Sequence, residues 1–335
     1  MLRDREKRPR KLMYLGAISL LLGAMLVGLA WAEQLGSAND KDDGPYKISV
    51  DVGLVVLPVF VIDSRGQAVS GLTASNFRLY DDGHPRPITL FEPEDVPATV
   101  GLVVDNSGSM VAKRAEVIAA GVAFARSSNP LDQMFVVNFN QWVSLGLPKG
   151  MPFTSDPQQL DAALSRNAAA GNTALYDGIA AALDHLKTGT RERKALIVVS
   201  DGGDNASQIS LPDLLRKVQT SNVVIDTVGI FDPTYRNENP GVLRRLAKMT
   251  GGTAYFPSSI SQVTSICQDI AEDIRHQYTI GYSPEGESSE TYHEVRVTAR
   301  ALGRSRLRVR TRAGYVLDDS QADLSEPLGN VASRQ

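Results

Sequence analysis

The 335-residue sequence has a single cysteine, Cys267. One thiol excludes an internal disulfide. Its place in the helical pattern Val263, Ile266, Ile270, Ile274 marks it as a small core residue rather than a reactive group. Histidine is scarce as well. His84, His185, His276 and His293 are the four, and none stands at a metal-ligand spacing or beside a nucleophile loop. The nucleophile elbow Gly-x-Ser-x-Gly and the phosphate loop Gly-x4-Gly-Lys-Ser/Thr are absent. Asp201-Gly202-Gly203-Asp204 invites a metal-assisted phosphoryl reading, but that loop has no Lys or Arg to hold a phosphate. These absences argue against an enzyme. Excess positive charge is also lacking: the formal net charge is −3. Six of the 35 Lys and Arg residues sit at the start, Arg3, Arg5, Lys7, Arg8, Arg10 and Lys11, against Asp4 and Glu6. The rest of the chain is more acidic, a poor match for nucleic acid.

Long apolar runs are equally rare, with one exception. Residues 12–32 contain no charged side chain and end in Ala30-Trp31-Ala32 before Glu33. A basic start, an apolar middle and a small-x-small end form the pattern of an export signal. The run is also long enough to span a bilayer, with its basic end in the cytoplasm. Residues 1–32 are therefore expected to be a cleaved signal peptide or a retained membrane anchor. Either way, the chain from Glu33 onward is expected to be exported: periplasmic, secreted, or anchored in the cytoplasmic membrane and facing outward. Residues 33–45 are polar and turn-rich and read as a linker.

What the chain does have is organised around residues 101–110, Gly-Leu-Val-Val-Asp-Asn-Ser-Gly-Ser-Met. The apolar run before Asp105 reads as a strand buried on both faces of a parallel sheet. A helical pattern comes next: Val111, Ala115, Ile118, Val122. A carboxylate and two hydroxyls, Asp105, Ser107 and Ser109, thus crowd one strand-to-helix turn. A helix cap requires one oxygen; three exceed it. Ligands of open α/β sheets bind beyond the carboxyl ends of the strands. All-oxygen chemistry suits Mg²⁺, Mn²⁺ or Ca²⁺ rather than zinc or copper.

From Ala98 to about Arg275 strands alternate with helices. Strands are expected at 134–139, 143–147, 195–199, 223–228 and 253–256, and helices at 157–165, 174–186, 211–220, 241–249 and 259–275. This is a doubly wound, mostly parallel sheet flanked by helices. Two further loops repeat the oxygen chemistry: Gly171-Asn172-Thr173 at a helix start, and Ser200-Asp201-Gly202 after another buried strand. Right-handed crossovers bring such strand ends to one edge, so Asp105, Ser107, Ser109, Thr173 and Asp201 are expected to converge. Asp177 and Asp204 read as a helix-turn carboxylate and a loop cap.

The flanks read as β-structure. Ile48, Val50 and Val52 alternate with polar residues. Leu54 to Ile62 is nearly all apolar, with Pro58 at an edge or bulge. Thr73 caps a short turn, and Asp82-Gly83 makes another. After the α/β region come a strand at 277–282, an alternating strand from His293 to Ala299, and an arginine-rich strand at 304–312. The last two read as a hairpin with one basic, solvated face; a docking stripe for an acidic partner is the alternative. Neither flank has enough strands to fold alone. Segments 46–96 and 276–317 are therefore expected to form one β-sandwich, with 97–275 inserted between them. Leu307 and Val309 should face its core, and Arg306, Arg308 and Arg310 solvent. Residues 318–335 read as a disordered tail.

The order Asp105-x-Ser107-x-Ser109, then Gly171-Asn172-Thr173, then Ser200-Asp201-Gly202 resembles the von Willebrand factor type A (VWA) domain, over roughly residues 97–275. The flanks, Phe77 to Gly83 and Tyr278 to Tyr282 with the arginine-rich strand, look like bacterial exported VWFA-related proteins. The resemblance implies a Rossmann-like α/β fold and a metal-ion-dependent adhesion site made of Asp105, Ser107, Ser109, Thr173 and Asp201. In that family the serines and one further group bind the ion directly, and the remaining carboxylate acts through water. Asn106 occupies a variable position and is not expected to affect binding. The implied cofactor is a divalent cation, Mg²⁺ before Mn²⁺ or Ca²⁺. The implied partner is a protein that supplies an Asp or Glu carboxylate. The competing reading is a structural or assembly protein of the cell envelope, in which the metal only braces the loops. Oligomeric state is not legible.

Overall fold

The computed structural model describes residues 54–231, 238–284, 292–304 and 306–316. The expected signal or anchor, the linker, the strand positions Ile48, Val50 and Val52, and the tail at 318–335 lie outside the described residues.

The chain opens with four strands: β1 (Val55–Ile62), β2 (Phe77–Asp81), β3 (His84–Arg86) and β4 (Leu90–Glu92). The α/β region begins with β5 (Ala98–Asp105), a 3-10 turn (Gly108–Lys113), α1 (Arg114–Ser127), β6 (Gln133–Phe139) and β7 (Val143–Leu145). Next come α2 (Pro157–Ser165), α3 (Leu175–Leu186), β8 (Arg193–Ser200), α4 (Leu211–Gln219) and β9 (Val224–Gly229). α5 (Pro240–Thr250), β10 (Ala254–Tyr255) and α6 (Val263–Arg275) complete it. Four strands close the chain: β11 (Tyr278–Tyr282), β12 (Tyr292–Ala299), β13 (Arg308–Arg310) and β14 (Gly314–Val316).

The central sheet has the order β10-β9-β8-β5-β6-β7. All its neighbours are parallel except β7, which returns antiparallel along β6. Every residue of β5 is buried, which is why its sequence shows no alternation. Helices cover both faces: α1 packs on α2 and α6, and α3 packs on α4, which meets α5. Caps start several of them. Asp156 accepts from the Gln158 N–H at 2.9 Å, with Pro157 at the first helical position, where its missing N–H costs nothing.

The face of α1 differs from the expected one. Val117, Ala120, Gly121, Phe124 and Ala125 are buried, whereas Val111 and Ala115 are exposed. The helix is apolar on most sides, so periodicity leaves its rotation open. Close packing decides it: a Cβ on Gly121 would lie 2.6 Å from Leu164 Cδ1.

The strands outside this sheet form two four-stranded sheets, ordered β13-β1-β11-β4 and β14-β12-β2-β3. Each mixes strands from before and after the α/β region. β1 pairs with β11 and β13, and β12 pairs with β2 and β14. Their apolar sides meet in one cluster that includes Leu57, Val59, Phe77, Leu79, Tyr278 and Val297. Phe77 and Tyr278 touch across it with ring centroids 5.4 Å apart. Pro58 pairs with Thr279 on one side, at a position β13 does not reach, so its missing N–H breaks no ladder there.

The hairpin expected between 293–299 and the arginine-rich strand does not form. The chain turns at Leu302-Gly303 and changes sheets, so β13 lies along β1, and it is β14 that pairs with β12. An alternating pattern is blind to which neighbour a strand chooses. Leu307 and Val309 do pack against the shared cluster, and Arg306 and Arg308 are exposed. Arg310 is only partly exposed, its side chain at 33%. It lies 4.2 Å over the Phe60 ring, donates to Asp273 Oδ2 at 2.9 Å and reaches Thr253 Oγ1. Arg312 is buried and donates to the carbonyls of Gln219, Ser221 and Gly314. Both arginines fasten the flanking strands to the α/β region.

Among the described residues, no helix is long and apolar enough to cross a membrane.

Candidate metal centre

β5, β6, β8 and β9 end at the same edge of the sheet. Asp105 is the last residue of β5 and is 2% exposed. Its Oδ1 accepts from the Ser107 N–H at 2.8 Å and its Oδ2 from the Ser200 hydroxyl at 2.7 Å. Burial pushes its carboxyl up to about 6, opposed by those hydrogen bonds and raised further by the charge of Asp201. Ser107 Oγ lies 3.2 Å from Ser109 Oγ, and Ser109 Oγ donates to Asp201 Oδ2 at 2.7 Å. Asp201 comes directly after β8 and also accepts from the Gly203 N–H at 3.0 Å. The turn there requires glycine: Gly202 has φ +78°, and a Cβ would stand 2.3 Å from the Asn239 carbonyl oxygen.

Thr173 arrives on the loop before α3. Its N–H donates to Asn205 Oδ1 at 2.8 Å, and its carbonyl accepts from the N–H groups of Asn205 and Ala206. The same loop is tied to the first by a Gly108 N–H to Gly171 carbonyl bond of 3.1 Å. Ser107, Ser109, Thr173 and Asp201 thus line one half-open pocket, with Asp105 directly behind. No Lys or Arg lines it. The donor set is hydroxyl and carboxylate only, and two carboxylates meet in a buried place without a basic side chain. This chemistry fits a hard divalent cation.

Asp177 and Asp204 have other work. Asp177 accepts from the N–H groups of Gln208 and Ile209, and Asp204 Oδ1 from the Tyr176 N–H and the Ser207 hydroxyl. Asp204 is a loop cap that also lines the pocket, whereas Asp177, expected as a helix-turn carboxylate, ties α3 to the 208–209 loop.

Sequence reasoning gave no role to three residues here. Ser200 orients Asp105. Asn205 holds Thr173. Asn106 is 1% exposed: its N–H meets the Phe139 carbonyl, its carbonyl the Ala170 N–H, and its side chain Asn138 and Arg114. That position therefore fixes three site loops. A buried amide between two site residues was the available signal. Cys267 is 2% exposed and burial pushes its thiol up to about 12, as befits a core residue.

A second cluster, Asp81, Asp82 and His293, places one ligand atom from each residue within 4.8 Å of the others. Spacing could not reveal it, because strand pairing brings β12 beside β2. It is already cross-linked. His293 Nδ1 lies 2.9 Å from Asp82 Oδ2, the Glu294 N–H donates to Asp82 Oδ1, and Tyr315 donates to Asp81. Arg86 Nε, 4.0 Å from Asp81 Oδ2, brings a positive charge of the chain's own. The all-oxygen pocket has no such internal cation.

Residues 100–203 match the family model of the von Willebrand factor type A domain, a span that contains all five site residues. No curated protein matches the sequence. Among solved structures, the chain is similar to a von Willebrand factor type A protein from Catenulispora acidiphila, at 16% identity over 75% of this chain and 76% of that one, with TM-score 0.49. It is similar to the vWF domain of the type V pili tip protein Mfa5 from Porphyromonas gingivalis, at 15% identity over 59% and 99% of the two chains, with TM-score 0.43. It is also similar to proximal thread matrix protein 1 from the mussel byssus with a zinc-occupied MIDAS motif, at 17% identity over 53% and 48%, with TM-score 0.43. The α/β fold, the order of the three loops and the family model agree: the region around residues 100–203 is a von Willebrand factor type A domain.

Proposed function

We propose that this chain is an exported protein-interaction module. Asp105, Ser107, Ser109, Thr173 and Asp201 hold one divalent cation, Mg²⁺ before Mn²⁺ or Ca²⁺, and through it an Asp or Glu carboxylate of a protein partner. The observation that carries the reading is the meeting of Asp105 and Asp201 with hydroxyls in a pocket that no basic side chain lines. Two carboxylates and weak hydroxyl donors leave a bound divalent ion electrophilic toward one outside carboxylate. The chain's own part is to orient. Ser200 and the Ser107 N–H fix Asp105, Asn205 fixes Thr173, and Ser109 is free to exchange its bond with Asp201 for the ion. The loops are already joined by backbone hydrogen bonds, so they do not need a metal as a brace.

Calorimetric titration with Mg²⁺ and Mn²⁺ tests the site. The wild type should bind, and Asp105→Ala should not, with unchanged circular dichroism. Equal affinity in the two proteins would remove the assignment.

The reading extends to organisation. Residues 1–32 direct export, with cleavage after Ala32 leaving Glu33 at the new terminus; N-terminal sequencing of the native protein decides between this and a retained anchor. Segments 46–96 and 276–317 act as one folding unit around the inserted domain, which the shared apolar cluster supports. Deleting 276–317 should therefore unfold 54–96, seen as rapid proteolysis there, while 97–275 stays soluble and still binds Mg²⁺. A protease-resistant 54–96 after the deletion would refute this.

A further inference from the structure

The pocket over the proposed cation site encloses about 260 Å³, room for the end of one acidic side chain with some water. Its wall is hydroxyl, carboxylate, amide and the three glycines Gly108, Gly171 and Gly203. Such a wall offers little apolar contact with which to choose among acidic partners, so the choice falls to the rim. Seven large apolar side chains stand exposed among the described residues; one shares a turn with a site residue and another lies on a turn bonded to the Thr173 loop. Val111 shares the 3-10 turn of Ser109 and is 58% exposed. Trp142 is 73% exposed and comes just after β6 at the same edge of the sheet.

The turn that carries Trp142 is joined to the Thr173 loop. The Asn140 carbonyl accepts from the Ala174 N–H at 2.7 Å, and Gln141 Oε1 accepts from the Asn172 N–H at 3.1 Å. These bonds grip the residues on both sides of Thr173. The turn is closed on itself too: the Trp142 N–H donates to Asn140 Oδ1 at 2.9 Å, and the Trp142 carbonyl accepts from the Asn140 N–H at 3.1 Å. The backbone under Trp142 is therefore fixed while its side chain remains in water. Tryptophan is one of the side chains enriched among residues that dominate protein interfaces.

We propose that Trp142, assisted by Val111, forms an apolar rim that reads the residue beside the partner's carboxylate. The partner is then a protein segment in which Asp or Glu stands next to an aromatic or large aliphatic side chain. This rests on the cation-carboxylate reading above. That reading supplies the anchor, and the rim supplies the selectivity.

The test uses the full chain in Mg²⁺ and three end-blocked tetrapeptides, Gly-Phe-Asp-Gly, Gly-Ala-Asp-Gly and Gly-Phe-Asn-Gly, monitored by amide chemical-shift titration. The Phe-Asp probe should bind about tenfold more tightly than the Ala-Asp probe, the size of a well-placed aromatic contact. Trp142→Ala should erase that preference and Trp142→Phe should keep most of it. Both variants should bind Mg²⁺ as the wild type does and melt at the same temperature, which separates the rim from the site and from folding. The Phe-Asn probe and EDTA should abolish binding. If the two Asp probes bind equally and still need Mg²⁺, the rim is wrong and the cation reading stands. If no probe shows binding that needs both Mg²⁺ and the carboxylate, the cation reading fails and the rim fails with it.

Discussion

Strand β8 begins at Arg193 and ends at Ser200, and its two ends are opposites. At the first, a guanidinium that is 3% exposed donates to the carbonyls of Pro93, Val96 and Ile274. Burial lowers its pKa, and Glu92, Asp132 and Asp95 raise it again. At the second, Asp201 and the neighbouring Asp105 are carboxylates whose partners are hydroxyls and backbone N–H groups. One edge of the sheet is completed by the chain's own cation. The other opens a pocket to solvent that no Lys or Arg lines. The contrast shows how a single sheet can separate holding itself together from receiving something else.

The largest effect should come from breaking the self-completed edge. Arg193→Ala leaves three carbonyls without their donor and should cost about 3 kcal/mol. A lower urea midpoint with unchanged Mg²⁺ affinity is the expected result; a loss of Mg²⁺ affinity at unchanged stability would mean that the two edges are not separate.

A smaller effect should come from the body of the sheet, where Asp226 combines features of both edges. Burial pushes its carboxyl up to about 6, opposed by a hydrogen bond from the Thr253 N–H and by the charge of Arg310. In the unfolded chain it ionises near 3.8. Below that value both states are protonated and the site costs nothing. As pH rises toward 6 the unfolded chain gains from ionising first, and above about 6 the penalty is complete. Asp226→Asn should therefore be neutral near about pH 3.5 and stabilising by up to about 2 kcal/mol near about pH 7.5. Denaturant unfolding at both pH values reads the difference; an equal change at both would refute it.

The smallest effect belongs to the exposed cation at the same junction as Arg193. Arg275 pairs with Asp95 at 2.9 Å, but the two side chains are 40% and 51% exposed. Arg275→Ala should cost at most about 0.5 kcal/mol in thermal unfolding, because water screens such pairs. A cost near that of Arg193→Ala would erase the distinction between buried and exposed cations here.

Legibility in the sequence divided along the same line. Buried parallel strands are continuous apolar runs, so β5 and β8 could be read to within two residues, and the oxygen-bearing turns after them stood out. The sheet then brings Asp105, Ser107 and Ser109 to Asp201 because β5 and β8 are neighbours, and backbone bonds from Gly108 to Gly171 and from Ala174 to Asn140 bring in the Thr173 loop. Rotation and partner choice were not legible. α1 is apolar on most sides, so tertiary packing, including Gly121 against Leu164, fixes which face turns inward. The alternation around Val309 fits pairing with β12 or with β1, and Arg310 reads as a surface residue until Asp273 and Phe60 are seen beside it. Arg193 is one arginine at the start of a strand, and Trp142 one aromatic in a turn; their roles exist only in three dimensions.

The linkers that Arg193 fastens also set how the molecule would carry a load. The incoming one, at Pro93 and Val96, leads directly into β5, and β5 ends at Asp105. A pull between the pocket and the flanking sheets would therefore run lengthwise along β5. Its two parallel neighbours, β6 and β8, are each registered with it over seven residues. Tension in that direction shears both ladders at once instead of peeling bonds one by one. The domain would resist a tug on its pocket edge with its best-connected strand.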